Sequence, residues 1–271
     1  MRKLFAPLQG RDVALHAAAI TFYSGIAVVP VALLAIWLTG LAVGAERVRE
    51  LTGRTITALP DEIGAPRALA ALIDAGLNLT PMLALASLLP ATLYGEGMRR
   101  AFASLRRPGE SLVGWRGRLL WLPLLAAAPA LMLALFLALP TTSSLWLRGG
   151  WWSVLGVVLS FLAAWLVLTP VVIWVFRYVA PGRPPWLATI LIGSFTAANL
   201  SGFLHGFVLF CSLPLDLGVP FGGFTEIGAM VAVGLWLYLF HVVLLAGFAA
   251  THSVKPYLSD DSPKQVTTTP G

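Results

Sequence analysis

The chain is poor in charge: Asp, Glu, Lys and Arg make up only 11% of its 271 residues. A soluble domain carries about 25%, so this one lacks the groups to cover its surface in water. Cysteine is almost missing. Cys211 stands alone, which excludes an internal disulfide and a Cys-rich metal site. No H-x-x-x-H or HExxH helix, no G-x-S-x-G elbow and no Walker sequence occurs. A metal site needs three or four converging ligands, and with those patterns missing an intramembrane enzyme is the weaker reading. No metal, cofactor or catalytic residue is expected.

What the chain has instead is apolar length. It is 58% hydrophobic, with a mean hydropathy of +0.84. Runs of about 20 apolar residues, enough for a ~30 Å hydrocarbon core, recur along it. Inside lipid the backbone must satisfy its own hydrogen bonds, and runs this continuous mean helices rather than barrel strands. The expected fold is all-α and polytopic. Six spans are read at roughly 13–42, 81–104, 118–140, 151–178, 186–212 and 224–251. They form one domain over 13–253, between an N-terminal segment 1–12 and a polar, disordered tail 254–271.

Charge gives the orientation. Arg2, Lys3 and Arg11 precede the first span, and Arg99, Arg100, Arg106, Arg107, Arg116 and Arg118 crowd the connection between spans 2 and 3. With Arg177, Arg183, Lys255 and Lys264, 13 of the 18 basic residues fall on one side. By the positive-inside rule that side is cytoplasmic, so both termini are expected inside. The net charge of +6 is then a membrane-orientation signal, and no nucleic-acid partner is expected. Tryptophans are expected in two interfacial belts, Trp37, Trp146, Trp151 and Trp152 outside and Trp115, Trp121, Trp174 and Trp186 inside. The first span is about twice as long as a signal-peptide core of 7–15 residues and is read as a retained anchor.

The outer connection between spans 1 and 2 is the only long one. In "LPDEIGAPRALAALIDAGLNL" (59–79), Leu69, Leu72, Ile73 and Leu77 recur at helical spacing after Asp61 and Pro66. A short amphipathic helix on the outer surface is expected there.

Polar groups inside the spans are the candidate functional residues. "LLPATLYGEGMRRAFASLRR" (88–107) holds Glu96, the one carboxylate set well inside an apolar segment. It lies ~22 Å along a helix that starts at Pro81, in the cytoplasmic third. Arg99 and Arg100 follow at i+3 and i+4, where a guanidinium meets a carboxylate on one helix face. Intramembrane acids also serve substrate and proton paths, so a local ion pair and a functional site both stand. In "GSFTAANLSGFLHGFVLF" (193–210), Thr196, Asn199, Ser201 and His205 are too many polar groups for a lipid-facing surface. Gly202 and Gly206 form a GxxxG pair suited to close helix packing. Prolines fall inside four spans, at Pro30, Pro90, Pro123 with Pro129, and Pro170, and each bends its helix.

Four stretches resemble the YihY/BrkB family of bacterial inner-membrane proteins. "ALHAAAITFYSGIAVVP" is similar to the family's opening signature, with Phe22-Tyr23 and then Pro30. "EGMRRAFASL…WRGRLL" resembles its basic loop, and "RYVAPGRPPWLATILIGS" its Pro-then-Trp start of span 5. "IGAMVAVGLWLYLFHVVLLAGFAATH" is similar to its closing helix, with Gly228 and Gly247. The resemblance covers residues 10 to 253. It departs where the family's last helix ends in Gly-Ala-Glu and this chain reads Gly247-Phe248-Ala249, and where Phe224-Thr225 replaces an aromatic-glycine pair.

The resemblance implies a six-helix protein of the bacterial inner membrane, in a family associated with envelope integrity, serum resistance and lipid-related transport. The older family label of a ribonuclease does not suit this chain, whose basic residues lie in short loops without a metal-ligand set. The expectation is a carrier of lipid or amphiphilic substrates through Tyr23, Glu96, Asn199 and His205, with Arg99, Arg100, Arg106, Arg107, Arg116 and Arg118 on anionic headgroups. Pro30, Gly202, Gly206, Gly228 and Gly247 are assigned to helix packing. The alternative is a non-transporting envelope scaffold that binds other membrane proteins or a second copy of itself.

Overall fold

The structure is a computed structural model that describes residues 12–56, 65–105, 115–146, 148–211, 213 and 215–258. Every regular element among them is helical. The order is α1 (Val13–Val43), α2 (Ala45–Ile56), α3 (Ala65–Leu77), α4 (Pro81–Ser104), α5 (Trp115–Trp146), α6 (Gly150–Trp174), α7 (Trp186–Cys211) and α8 (Thr225–Leu258). A π-helical turn, Val175–Val179, extends α6, and a 3₁₀ turn, Val219–Phe221, precedes α8.

Caps set the helix starts. Asp12 Oδ1 accepts from the Leu15 amide at 2.9 Å and opens α1. Thr80 Oγ1 accepts from the Leu83 amide at 3.3 Å, and Pro81 follows at the first helical position, where its missing N–H costs nothing. Gly44, at φ 90° and ψ 145°, separates α1 from α2 in a backbone region closed to other residues.

Five helices are long and apolar enough to cross a membrane: Val13–Val43, Trp115–Ala138, Gly150–Val179, Trp186–Cys211 and Thr225–His252. They match five of the six expected spans. The expected span 81–104 forms α4, whose 24 residues would extend ~36 Å. Length is not what separates it from the others. Residues 92–100, Thr-Leu-Tyr-Gly-Glu-Gly-Met-Arg-Arg, make it more polar than they are.

α4 packs on α1 and α5, α6 on α5 and α7, and α8 on α1 and α7. The main core runs through this bundle and includes Ile20, Phe102, Phe176, Leu200, Leu245 and Phe248. Phe102 of α4, Phe176 of the π turn and Phe248 of α8 form a triangle with centroids 4.5 to 6.1 Å apart. Edge and tilted ring contacts at these distances add to simple area burial.

The connection between α1 and α4 differs from its expected form. α3 occupies 65–77, but it is packed onto α1. A Cβ on Gly76 would lie 2.7 Å from Ile36 Cβ. α2 was not anticipated. Its exposed side carries the ion pairs Arg47–Glu50 (2.5 Å) and Arg49–Glu46 (2.7 Å), while Val48, Leu51 and Thr52 are buried. Ile36, Val48 and Ile73 make a second, smaller core that joins α1, α2 and α3. The expected helix start at Asp61 and the tail beyond 258 lie outside the described residues. α8 itself runs to Leu258, past the expected boundary at 253.

Candidate functional site

Glu96 stands between two glycines that bring α4 against its neighbours. A Cβ on Gly97 would lie 2.5 Å from Tyr23 Cδ2, so α1 rests its tyrosine ring on bare backbone. A Cβ on Gly95 would lie 2.5 Å from both the Gly117 carbonyl and Trp121 Cβ. α4 and α5 therefore touch backbone to backbone, which only small residues permit. Between these contacts the Glu96 carboxylate, 9% exposed, meets Arg100 through Oε1 and Arg118 Nε through Oε2, the latter at 2.5 Å. The cluster holds one acid and two guanidinium groups.

The sequence expectation for Glu96 is corrected at one partner. Arg100 at i+4 does face it; Arg99 at i+3 does not. Arg99 Nη1 donates to the Val179 carbonyl at 2.8 Å, an acceptor left open by the end of the π turn. Its place is taken by Arg118, twenty-two residues away on α5. Arg116 is exposed, and Arg106 and Arg107 lie outside the described residues.

A second polar group joins three helices. His241 of α8 is fully buried. Its Nδ1 lies 3.0 Å from Thr21 Oγ1 of α1, and its Nε2 lies 2.8 Å from the Tyr94 hydroxyl of α4. Counting protons assigns the roles. Thr21 gives its single hydroxyl hydrogen to the Ala17 carbonyl at 2.8 Å, so its oxygen accepts from Nδ1–H. In the neutral ring Nε2 is then bare and accepts the Tyr94 O–H. The imidazole is satisfied on both nitrogens. Tyr94 also stands edge-on to Trp121 at 4.8 Å. This group links α1, α4 and α8 two residues from Glu96.

The four expected path residues do not converge. Tyr23 reaches the Glu96 region through Gly97. His205 lies between α6 and α7, where Nδ1 donates to the Ser201 carbonyl at 2.8 Å and Nε2 meets Ser160 Oγ at 2.9 Å. Asn199 is exposed on the outer face of α7, its amide folded back onto the Phe195 carbonyl at 2.8 Å. The polar groups of span 5 are thus divided: Thr196 and Ser201 turn inward, Asn199 outward. Ser201 ties α7 to the Phe161 carbonyl of α6 at 3.0 Å.

The packing residues divide similarly. Gly247 is where Thr196 of α7 touches α8, and Gly228 is where the Leu217 carbonyl does. Gly206 faces the Trp236 ring at 3.2 Å, whereas the nearest atom to a Cβ on Gly202 is Phe161 at 4.0 Å. Pro30 lies inside the continuous α1. Trp121 belongs to the core rather than to an interfacial belt, and Trp174 Nε1 donates to the Leu120 carbonyl at 3.0 Å. Among the described residues no three His, Cys, Asp or Glu side chains gather as metal ligands.

Long apolar helices, with charged and polar groups paired among themselves between them, define a multi-pass membrane protein. The chain belongs to the virulence factor BrkB family, whose model matches residues 4–268. The resemblance carried by the four sequence stretches therefore extends over nearly the entire chain. No curated protein and no solved structure matches it.

Proposed function

We propose that this chain resides in the bacterial inner membrane, crosses it six times with both ends cytoplasmic, and moves lipid-like amphiphiles between the leaflets. α4 is the sixth crossing. It is longer than the ~30 Å hydrocarbon core, and it turns Tyr94 and Glu96 toward α8 and α5. The observation that carries the reading is Glu96: a carboxylate in the membrane is costly and is kept where substrates or protons pass. Held by two arginines beside the His241 group, it gives a headgroup a polar foothold inside an otherwise apolar bundle. No catalytic residue, metal, cofactor or nucleic acid enters this reading.

The test is reconstitution in vesicles with labelled phospholipids. Protein-dependent transbilayer movement that Glu96→Gln abolishes is expected, whereas no movement above protein-free vesicles contradicts the reading.

A second reading, a scaffold that binds other membrane helices, is favoured by one observation. The Asn199 amide sits midway along α7 on the exposed face, beside an open Gly202. An amide facing lipid gains from a partner helix, and a small residue lets that helix approach. Under this reading Gly202→Leu abolishes partner co-purification, and Glu96→Gln leaves the phenotype intact.

A further inference from the structure

Between α1, α4 and α5 lies an apolar cleft of about 390 Å³, lined by residues that include Leu34 and Trp37 of α1, Leu85 and Leu88 of α4, and Leu122 and Leu125 of α5. The volume falls in the ~300–1,000 Å³ range of small-ligand sites.

Helix register relates the cleft to the charged cluster. Arg118 precedes Leu122 by four residues and Leu125 by seven, so the three share one face of α5. Along the axis these leucines stand ~6 and ~10 Å from the arginine. On α4, Leu85 is eleven residues before Glu96, ~16 Å. One leaflet's share of a ~30 Å core is about the same.

The cluster has capacity for an anion. Arg118 engages Glu96 through Nε, and among the described residues its Nη1 and Nη2 carry no other bond. Arg100 uses Nη2. Their side chains are 32% and 56% exposed, and Arg116, two residues before Arg118, adds an exposed cation at the start of α5. Two guanidinium groups against one carboxylate leave a net positive site, and guanidinium pairs well with phosphate.

We infer that this cleft holds one acyl chain of an anionic phospholipid whose phosphate rests on the Arg100–Glu96–Arg118 cluster. At that depth the bilayer supplies acyl chains, and the excess positive charge selects a headgroup with net negative charge over a zwitterionic one. The inference rests on the proposed lipid-carrier function for its purpose, but binding and movement are separate measurements.

The test uses the delipidated full-length protein, titrated with phosphatidylglycerol or with phosphatidylcholine and read by native mass spectrometry. One phosphatidylglycerol per chain, retained in preference to phosphatidylcholine, is expected. Arg118→Gln should weaken phosphatidylglycerol about fivefold and narrow its preference over phosphatidylcholine. Ala126→Phe, at an exposed alanine that lines the cleft, should weaken both lipids. Arg47→Gln on α2 should change neither.

Equal retention of the two lipids, or retention indifferent to Ala126→Phe, overturns the inference and leaves only unselective annular lipid. Full displacement of the lipid by inorganic phosphate also overturns it, because an anion site without a chain is then sufficient. If Arg118→Gln fails to fold, Ala126→Phe and the comparison of the two lipids decide the matter. Selective retention without transbilayer movement keeps the site and removes the carrier function; movement without retention does the reverse.

Discussion

His241 shows how a polar residue is kept within an apolar bundle. Its two nitrogens meet side chains on two different helices, Thr21 on α1 and Tyr94 on α4. Hydrogen bonds between membrane helices average ~0.6 kcal/mol and reach ~1.7. Tyr94→Phe should therefore lower stability by about 1 kcal/mol, and a double-mutant cycle with His241→Leu should show coupling of that size. Measurement is by unfolding in mixed micelles, and strict additivity would contradict the pairing.

Glycines give a sharper contrast at the same scale. Gly95→Ala places a Cβ against the Gly117 backbone, which cannot yield, whereas Gly202→Ala meets nothing closer than 4.0 Å. The first should lose monodisperse protein on size exclusion, and the second should behave as wild type. The sequence singles out Glu96 and its i+4 partner Arg100, which the structure pairs. Arg118 is not legible there, since only the antiparallel contact of α4 with α5 brings it near. Tyr94 and Thr21 each look ordinary in the sequence until His241 joins them. Asn199 was assigned to an interior, yet it faces outward; helical spacing identifies a shared face but not what covers it.

At the scale of elements, the α2–α3 pair is the part that apolar run length could not reveal. α3 was readable from Leu69, Leu72, Ile73 and Leu77. α2 carries Glu46, Arg47, Arg49 and Glu50 and looks like a charged loop. Its signal was the buried set Val48, Leu51 and Thr52 at i, i+3 and i+4. Both helices rest on the far end of α1 through Ile36, Val48 and Ile73. Ile73→Ala should cost about 2–3 kcal/mol, at the low end for a buried Ile because this cluster is small. The loss should appear as faster proteolysis within residues 44–80 while the remaining helices stay intact; uniform digestion would contradict a separate small core. The expected span 81–104 rests on an apolar run bounded by charges. Its polar second half, which sets it apart from the five most apolar helices, is where it meets α1, α5 and α8.

In the proposed topology, the excess of basic residues on one side of the helices sets the orientation through the positive-inside rule, and α4 makes the sixth crossing. Removing that bias should disturb insertion. Replacing Arg99, Arg100, Arg116 and Arg118 together by Gln should yield mixed orientation, read by reporter fusions at the C-terminus; unchanged orientation would show that the other basic segments suffice. The account depends most on α4 crossing the bilayer with its charged end inside. Cysteine accessibility tests this directly: in a Cys211→Ser background, Gly53→Cys on α2 and Arg116→Cys at the start of α5 are labelled in intact cells with a membrane-impermeant maleimide. The account predicts that position 53 reacts from outside and that position 116 reacts only after the membrane is opened. Labelling of both positions in intact cells, or of neither, would contradict it.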